Sequence, residues 1–466
     1  MRLPIWLIVL TATIGVAVVI FLGQTLIINP DRPLIEHAGF AHGIITPNAD
    51  GDTDITQFSY TLSRDALVSI MLESRGGQEF VFRQNEPRPA DDYQVLFSGV
   101  VNGFVLPGEH IEGVVDRRLM PDGEYTWRLI AEDSDTGEIA EASGTLILED
   151  GDATLPELVD FTVSPEVFTP NQDGIRDRAE ISVFLTKDAD LSVFLDGPNG
   201  ERIFISERQE GRKPGEAGRH QFDYEGGVDL NADPPPDGEY TVVAEAQDAV
   251  GQRIRREATL IIQDGGKPLA EIVPQPIGAS VIFDVLSGDE FAASEFAPQE
   301  LFVSPPDDPS ALNLTAVTMP LGDLLVFKLT VENYSNVPIR TTGPPPGTIY
   351  QQEQRASTLG WLDESGAWRV GIDCDTATSD YPWRWAVGTD EDLITVVDEE
   401  TGREFHYLPA GERAVVWGAI RMTELIEARN PQNCWAGLIH EDVEVSLQNS
   451  RVGAREIELV DLSIGE

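Results

Sequence analysis

Residues 46–54 read Thr-Pro-Asn-Ala-Asp-Gly-Asp-Thr-Asp, and residues 169–177 read Thr-Pro-Asn-Gln-Asp-Gly-Ile-Arg-Asp. Both copies fit the pattern T-P-N-x-D-G-x-x-D, and each is followed by apolar residues at every second position: Phe58, Tyr60 and Leu62, then Ile181, Val183 and Leu185. Proline fixes φ, Asn and Asp bond their own backbone, and glycine accepts a positive φ. Each nonapeptide is therefore predicted to be a tight turn that leads into a half-buried strand.

A second motif repeats in the same order. The sequence Pro-Asp-Gly-Glu-Tyr-Thr occurs at residues 121–126 and again at residues 236–241, and each copy ends with Ala-x-Asp and an apolar strand. The stretch between the two motifs is about eight residues shorter in the second copy, as a change of loop length between strands would give. Two tandem domains of about a hundred residues, built from strands and turns, are typical of immunoglobulin-like sandwiches.

The order of these motifs resembles the Ig-like domain of flagellar hook-capping proteins (FlgD-type), over roughly residues 40–150 and 160–264. That family often has Trp-Asp-Gly before the Pro-Asp-Gly turn, whereas this chain has His-Ile-Glu-Gly at residues 110–113 and Phe-Asp-Tyr-Glu-Gly at residues 222–226. The resemblance implies a sandwich fold that serves as a spacer or scaffold, because such modules are used in many settings.

The amino-terminal segment is uncharged from Leu3 to Pro30, and Leu3 to Gly23 is mostly apolar. That length is enough to cross a hydrocarbon core of about 30 Å. We expect residues 1–29 to form a single-pass transmembrane signal-anchor, because no small-x-small cleavage site follows a short apolar core. Arg2 and the free amino group favour a cytoplasmic amino end, which places the rest of the chain outside the cytoplasm. The alternative is a buried helix in a globular core.

The composition is strongly acidic, with 80 acidic residues, 32 basic residues and a formal net charge of −48. Such a charge repels nucleic acid and anionic lipid, so both are poor candidate partners. Two explanations of the charge stay open: a polyanionic surface that holds cations, or simple solubility.

The predicted fold class is all-β, with an N-terminal transmembrane helix followed by tandem immunoglobulin-like β-sandwich domains. Short polar linkers at residues 149–156 and 263–268 separate the repeats from each other and from the rest. The predicted segments are the anchor (1–29), two FlgD-type Ig-like domains (30–150 and 151–265) and a C-terminal β-sandwich (266–466). The last segment is long, but all-β domains of this size commonly stay single.

Six of the eight tryptophans lie in the C-terminal segment: Trp361, Trp368, Trp383, Trp385, Trp417 and Trp435. In a strand, Trp383 and Trp385 point to the same face, where two flat indoles could stack on a sugar ring. The alternative is that both indoles belong to the core of a large sandwich.

Both cysteines, Cys374 and Cys434, lie in the same C-terminal segment. In an oxidising exterior they are predicted to form one disulfide; the alternative is a pair of buried thiols. Two cysteines without a C-x-x-C motif do not make a structural zinc site.

The sequence offers little support for catalysis, and nothing singles out a catalytic carboxylate pair among the 80 acidic residues. The six histidines are scattered, and there is no H-E-x-x-H, no G-x-S-x-G, no P-loop and no dinucleotide-binding motif. We therefore predict that the protein is not an enzyme.

The two turns are the best candidates for an ion site. Side-chain oxygens at alternate positions followed by a carboxylate resemble half of an EF-type loop, and Ca²⁺ is the candidate ion. The predicted ligands are Asn48, Asp50 and Asp54 in the first copy and Asn171, Asp173 and Asp177 in the second. Carbonyls and waters would have to complete the shell, and a purely structural Asx-turn is the alternative.

These features predict a membrane-anchored, extracytoplasmic binding or scaffold protein of the cell envelope, with other envelope proteins or surface glycans as partners. A second hypothesis is an accessory carbohydrate-binding surface protein that uses the C-terminal tryptophans. A third is an inactive partner of a hydrolase.

Overall fold

The computed structural model describes residues 13–19, 32–208, 213–275, 278–287, 316–398 and 401–462. Within these ranges the chain is built from strands, with a helical stretch at residues 13–19 and three short 3-10 helices, at Val228–Leu230, Ala356–Leu359 and Glu427–Arg429. The all-β part of the predicted fold class is therefore correct.

The prediction of a transmembrane helix over residues 1–29 is wrong. Among the described residues, no helix combines the length and apolar character that crossing a membrane requires. The other residues of the predicted anchor, 1–12 and 20–29, lie outside the described residues.

The first domain, residues 32–150, consists of two facing sheets. One sheet contains, in spatial order, β1 (Ile35–Phe40), β3 (Thr56–Leu62) and β6 (Asp92–Phe97). The other contains, in spatial order, β2 (Ile44–Ile45), β10 (Ile139–Leu148), β9 (Gly123–Asp133), β4 (Ala66–Ser74) and β5 (Glu79–Arg88). Strand β3 follows the first turn, and its alternating Phe58, Tyr60 and Leu62 side chains are buried in the core between the sheets.

The second domain, residues 151–265, repeats this arrangement. One sheet contains β11 (Leu158–Ser164), β13 (Ala179–Leu185) and β16 (Gly218–Tyr224). The other contains β15 (Arg202–Ile205), β14 (Asp190–Asp196), β17 (Gly238–Gln247) and β18 (Arg253–Ile262), and β12 (Val167–Phe168) pairs with the end of β18. Ile181, Val183 and Leu185 of β13 are buried in a core separate from that of the first domain.

The repeated Pro-Asp-Gly-Glu-Tyr-Thr motif has the same role in both domains. The Tyr125 hydroxyl donates a hydrogen bond to the carbonyl oxygen of Pro121, and the Tyr240 hydroxyl donates one of 2.8 Å to that of Pro236. Each tyrosine ring is buried, so the bond joins the turn before β9 or β17 to the core of its own sandwich. This is the tyrosine-corner contact found in immunoglobulin-like sandwiches.

A hairpin of the first domain extends a sheet of the second. It consists of β7 (Val100–Asn102) and β8 (Val114–Leu119), which lie in the stretch that is longer in the first copy. Strand β8 pairs antiparallel with β18, with Val115 opposite Ile254 and Val114 opposite Arg255. The extra residues of the first copy thus cover part of an edge strand of the next domain. An uncovered edge strand presents unpaired backbone N–H and C=O groups, and proteins usually cover or blunt such edges.

The C-terminal domain is a larger two-sheet structure around one continuous core. One sheet contains β19 (Ala270–Val273), β20 (Val281–Leu286), β22 (Leu324–Asn333), β29 (Arg413–Arg421) and β24 (Ile349–Gln351). The other contains β21 (Ala316–Pro320), β31 (Val452–Val460), β30 (Gln432–His440), β25 (Trp368–Cys374), β26 (Trp383–Ala386), β23 (Ile339–Thr341), β28 (Glu404–Leu408) and β27 (Ile394–Val397).

Candidate functional site

The first turn is held together by its own side chains. The Asp54 carboxylate accepts backbone N–H bonds from Asn48 at 3.0 Å, from Ala49 at 2.8 Å and from Gly51 at 2.7 Å. The side-chain oxygen of Asn48 accepts the N–H of Asp50 at 3.0 Å. The carboxylate therefore serves the turn backbone, as the Asx-turn alternative requires.

The second turn has a similar network, in which two of the three donors to the last aspartate are at equivalent positions. The Asp177 carboxylate accepts the N–H of Asn171 at 3.4 Å, of Asp173 at 3.1 Å and of Gly174 at 2.5 Å. One oxygen of Asp173 accepts the N–H of Ile175 at 2.8 Å. The difference between the two copies lies in what the outer side of the turn contacts.

The outer side of the second turn docks onto the C-terminal domain. The Tyr407 hydroxyl donates a 2.8 Å hydrogen bond to Oδ2 of Asp173, and Arg340 Nε donates to the carbonyl oxygen of the same residue at 2.5 Å. His440 Nε2 lies 2.7 Å from the carbonyl oxygen of Gln172. Arg340, Tyr407 and His440 are all buried, so these bonds form in the interior of the junction.

Glycine is required where the two backbones meet. Gly174 and Gly366 both have positive φ, at 83° and 76°. A Cβ at Gly174 would lie 2.0 Å from the carbonyl oxygen of Ser365, and one at Gly366 would lie 2.2 Å from the carbonyl carbon of Asp173. The equivalent Gly51 of the first turn also has positive φ, but a Cβ there would meet no atom within 4 Å. The first copy needs its glycine for the turn alone, whereas the second needs it for docking as well.

Docking changes the titration of the turn. Burial, with a smaller contribution from the neighbouring Asp173 charge, raises the pKa of Asp177 to about 7 despite the N–H bonds it accepts. Desolvation by itself raises the pKa of Asp54. The N–H bonds from Gly51, Asn48 and Ala49 outweigh this effect, so the pKa is lowered overall. The last aspartate of the motif is therefore a stronger acid than usual in the first copy and a weaker acid than usual in the second.

In the part of the junction that the C-terminal domain forms, His440 carries no charge. Burial lowers the pKa of His440 to about 4, so the imidazole is neutral at neutral pH. Its ring stacks on that of Trp368, with centroids 4.3 Å apart. His440 therefore contributes packing and a hydrogen bond to the junction rather than a charge.

The predicted ion site at each turn contains two carboxylates and one side-chain amide. In the part of the chain that the structure describes, no group of three or more His, Cys, Asp or Glu is placed to hold a metal ion. The oxygens of Asp54 and Asp177 already accept N–H bonds, and an oxygen of Asp173 faces a hydroxyl donor. The binding of Ca²⁺ by Asn48, Asp50 and Asp54, or by Asn171, Asp173 and Asp177, remains a prediction from the sequence.

Trp383 and Trp385 lie on the same face of β26, but that face belongs to the core. Trp383 is 2 % exposed and Trp385 is fully buried. The Trp385 ring packs against Phe327 and Tyr350, with centroids 4.6 and 4.9 Å apart. A sugar has no access to these two indoles, so the core alternative describes their position and the ligand interpretation of this pair does not fit.

Cys374 and Cys434 face each other on the neighbouring strands β25 and β30, and a disulfide joins them. Both residues belong to the core of the C-terminal domain. The bond links residues that are 60 positions apart in the sequence, across the middle of one sheet.

A cavity of about 460 Å³ opens on the C-terminal domain beside the Pro-rich loop formed by residues 341–347. Its lining includes Thr342, Pro345, Pro346, Trp361, His406 and Trp417. Sequence reasoning counted both of these tryptophans in the aromatic cluster but did not single them out. The signal that could have found them is weak, because the two indoles are 56 positions apart and reach the cavity from different elements.

Comparisons with known proteins leave the family open. No family model matches the chain, and no curated protein matches it. One similar solved structure is a tetra-tandem repeat in the extending region of a large adhesion protein, at 10 % identity over 92 % of both chains, with a TM-score of 0.17. Another concerns host cell surface retention of a 1.5-MDa bacterial ice-binding adhesin, at 10 % identity over 92 % of this chain and 99 % of that one, with a TM-score of 0.19.

Overlays with TM-scores this low carry no conclusion about function. The FlgD-type resemblance is not shown by any of these comparisons. The arrangement of the strands supports a less specific description: the described part of the chain contains tandem β-domains.

Proposed function

We propose that this protein is a non-enzymatic scaffold that acts outside the cytoplasm, at the cell surface, and holds its C-terminal domain at a set position relative to the tandem sandwiches. One observation carries the proposal: the first junction combines backbone pairing with a buried hydrogen-bonded amide, and the second is made of buried side-chain hydrogen bonds. Interfaces between loosely linked domains are smaller and more mobile by default.

The first junction combines a shared sheet with a buried amide. Besides the pairing of β8 with β18, the fully buried Gln252 bonds to three parts of the chain. Its Oε1 accepts the N–H of Leu119 in the first domain at 3.3 Å. Its Nε2 donates to the carbonyl oxygen of Thr154 in the linker at 2.9 Å, and to Asp248 Oδ2 at 2.9 Å. A buried amide with this many partners resists bending at the linker.

The second junction has a buried arginine at its centre. The Arg340 guanidinium is 3 % exposed and donates to Asp173 of the second domain and to Glu364 and the carbonyl oxygen of Ser365 in its own domain. Opening the junction would break the bond from Arg340 to Asp173 together with the contacts of Tyr407 and His440 to the same turn. The second and C-terminal domains are therefore expected to move as one body.

The location outside the cytoplasm is supported by the disulfide, because such bonds persist in oxidising compartments. We propose other envelope proteins or surface glycans as partners, and the net charge of −48 argues against nucleic acid. No catalytic role is proposed for any residue.

Single-molecule energy transfer between dyes on the first and C-terminal domains of the full chain tests the scaffold role. We expect one narrow distance distribution, which Gln252→Ala broadens because it removes the bonds to Leu119, Thr154 and Asp248. Gln263→Ala, at an exposed position, is the matched control and leaves the distribution narrow. A broad distribution in the unaltered chain contradicts the proposal.

A further inference from the structure

The cavity beside the Pro-rich loop offers two indoles at different depths. Trp361 is 39 % exposed, whereas Trp417 of β29 is 7 % exposed. Pro345, Pro346 and Leu393 add further apolar surface to the same lining. A concave surface with an accessible indole and a mostly apolar lining is the usual character of a small-molecule site.

The Pro-rich loop forms one wall of the cavity and is fixed by hydrogen bonds to the strands beside it. Arg369, which is fully buried, donates from Nε to the carbonyl oxygen of Thr342 at 2.6 Å. The N–H of Ala386 donates to the carbonyl oxygen of Pro344 at 2.8 Å, and the N–H of Gly347 donates to that of Trp417 at 2.7 Å. The wall is thus organised before any ligand arrives, which lowers the entropic cost of binding.

Polar groups stand among the apolar ones. Thr342, His406 and Asp390 belong to the lining, and they carry a hydroxyl, an imidazole and an exposed carboxylate. His406 Nδ1 lies 3.2 Å from the Thr395 hydroxyl, so that contact leaves the second ring nitrogen, Nε2, for another partner. Hydroxyl, imidazole and carboxylate together can accept from and donate to the hydroxyl groups of a ligand.

The charge of the lining narrows the ligand class. No Lys or Arg is present among the described residues that line the cavity, and Asp390 adds a negative charge to a protein of net charge −48. An anionic ligand would meet repulsion without a compensating cation. The ligand that fits is neutral, has an apolar ring face for the indoles and carries hydroxyl groups for the polar residues.

The cavity is separate from the docked turn. Strands β23 and β28 pair Arg340 with Tyr407 and Thr341 with His406. Because side chains alternate along a strand, Arg340 and Tyr407 reach the second domain, while Thr341 and His406 line the cavity. A ligand can therefore enter without opening the junction.

From these observations we infer that the cavity lined by Trp361 and Trp417 binds a neutral sugar unit of a glycan, with one ring face stacked on the accessible Trp361 indole. The inference goes beyond the scaffold role, and either can fail without the other. It assigns glycan binding to residues other than Trp383 and Trp385, the buried pair in β26.

Binding is tested with the full chain and a panel of neutral oligosaccharides built from glucose, mannose, galactose and N-acetylglucosamine, by calorimetry and tryptophan fluorescence. We expect saturable binding of at least one member, weakened at least about tenfold by Trp361→Ala. Leu362→Ala, which alters the exposed neighbouring residue, is the matched control and keeps the affinity. Asp390→Asn and Thr342→Val are expected to weaken binding without altering the core, so the test does not depend on one variant.

Three results overturn the inference. The first is no binding by any neutral member of the panel at about 10 mM, the weak end of the affinity scale. The second is binding that Trp361→Ala, Asp390→Asn and Thr342→Val all leave unchanged. The third is a preference of the cavity for a sialylated or uronic-acid oligosaccharide, or for a proline-rich peptide, over every neutral sugar.

Discussion

The Tyr407 hydroxyl donates a hydrogen bond of 2.8 Å to Oδ2 of Asp173, a residue 234 positions earlier in the chain. Asp173 also accepts the N–H of Ile175, so one carboxylate shapes the turn and joins two domains. Its counterpart in the first copy, Asp50, lies on an exposed turn. One repeated motif therefore serves as a simple turn in the first domain and as a docking element in the second.

Tyr407→Phe is predicted to weaken this junction. The substitution keeps the ring but removes a donor from a buried carboxylate, which costs about 1–3 kcal/mol in proteins. We expect faster hydrogen exchange at residues 169–177 and in β28, and no change in β1 to β6. Tyr334→Phe, at a half-exposed tyrosine, is the control. Equal exchange in the unaltered chain and in Tyr407→Phe would contradict the role of the bond.

The two turns are predicted to respond to pH with opposite sign. The pKa of Asp177 is raised to about 7 by burial, from an ordinary value near 4, so the folded domain keeps a proton that the unfolded chain releases between these values. This contribution is present below pH 4 and is lost as the pH rises through 7, by a few kcal/mol at most. Asp177→Asn, which cannot ionise, should therefore flatten the decline in stability of the second domain between pH 4 and pH 7.

The matched variant is Asp54→Asn. The pKa of Asp54 is lowered, so its contribution is present above the ordinary value and is lost as the pH falls through the folded-state pKa. We expect Asp54→Asn to destabilise the first domain at neutral pH and to have less effect in acid. Hydrogen exchange at β3 and β13, measured across the pH range, reports the two domains separately. The same direction of change in both domains would refute the explanation.

The turns and the strands after them could be predicted from sequence because their causes are local. The Asp54 carboxylate accepts the backbone N–H groups of Asn48 and Gly51 within the same turn, and the alternation in β3 identifies its buried face. The domain junctions could not be predicted, because no local pattern states that Asp173 will meet Tyr407. The extra residues of the first copy were visible as a length difference, but their use as a hairpin depends on the free edge of β18.

The candidate ligand site could likewise be predicted only in part. Alternation correctly placed Trp383 and Trp385 on one side of a strand, but period-2 spacing does not say whether that side faces the core or the solvent. Trp361 and Trp417 meet at the cavity through elements that are distant in sequence, so their proximity is a property of the fold.

The disulfide is predicted to stabilise the C-terminal domain alone. Cys374 and Cys434 close a loop with a sequence separation of 60, for which the chain-entropy account gives about 4 kcal/mol. The double variant Cys374→Ala with Cys434→Ala should lower the melting temperature of this domain and leave the first two domains unchanged. Alkylation without reductant, followed by mass spectrometry, should modify neither cysteine of the native chain. Labelling of both thiols would show that the bond is absent.

The last prediction concerns Ca²⁺ at the two turns. A bound ion at a hundredfold excess over its Kd would add about 2.7 kcal/mol to the stability of each domain, enough to raise its melting temperature by several degrees. The sequence predicts such an increment, whereas purely structural Asx-turns, in which the Asp54 and Asp177 oxygens accept backbone N–H bonds, predict none. The measurement is the melting of each domain with Ca²⁺ and with chelator, at constant ionic strength.

Asp50→Ala and Asp173→Ala make this test specific. Both remove an acceptor of a backbone N–H, so both destabilise their domains whether or not an ion binds. Asp173→Ala should be the more damaging, because it also leaves the buried Tyr407 hydroxyl without its acceptor. The deciding quantity is therefore the difference between melting with Ca²⁺ and melting with chelator. A difference of several degrees in the unaltered chain, abolished only in the domain that carries the substitution, would establish the ion site and displace the purely structural explanation of the turn.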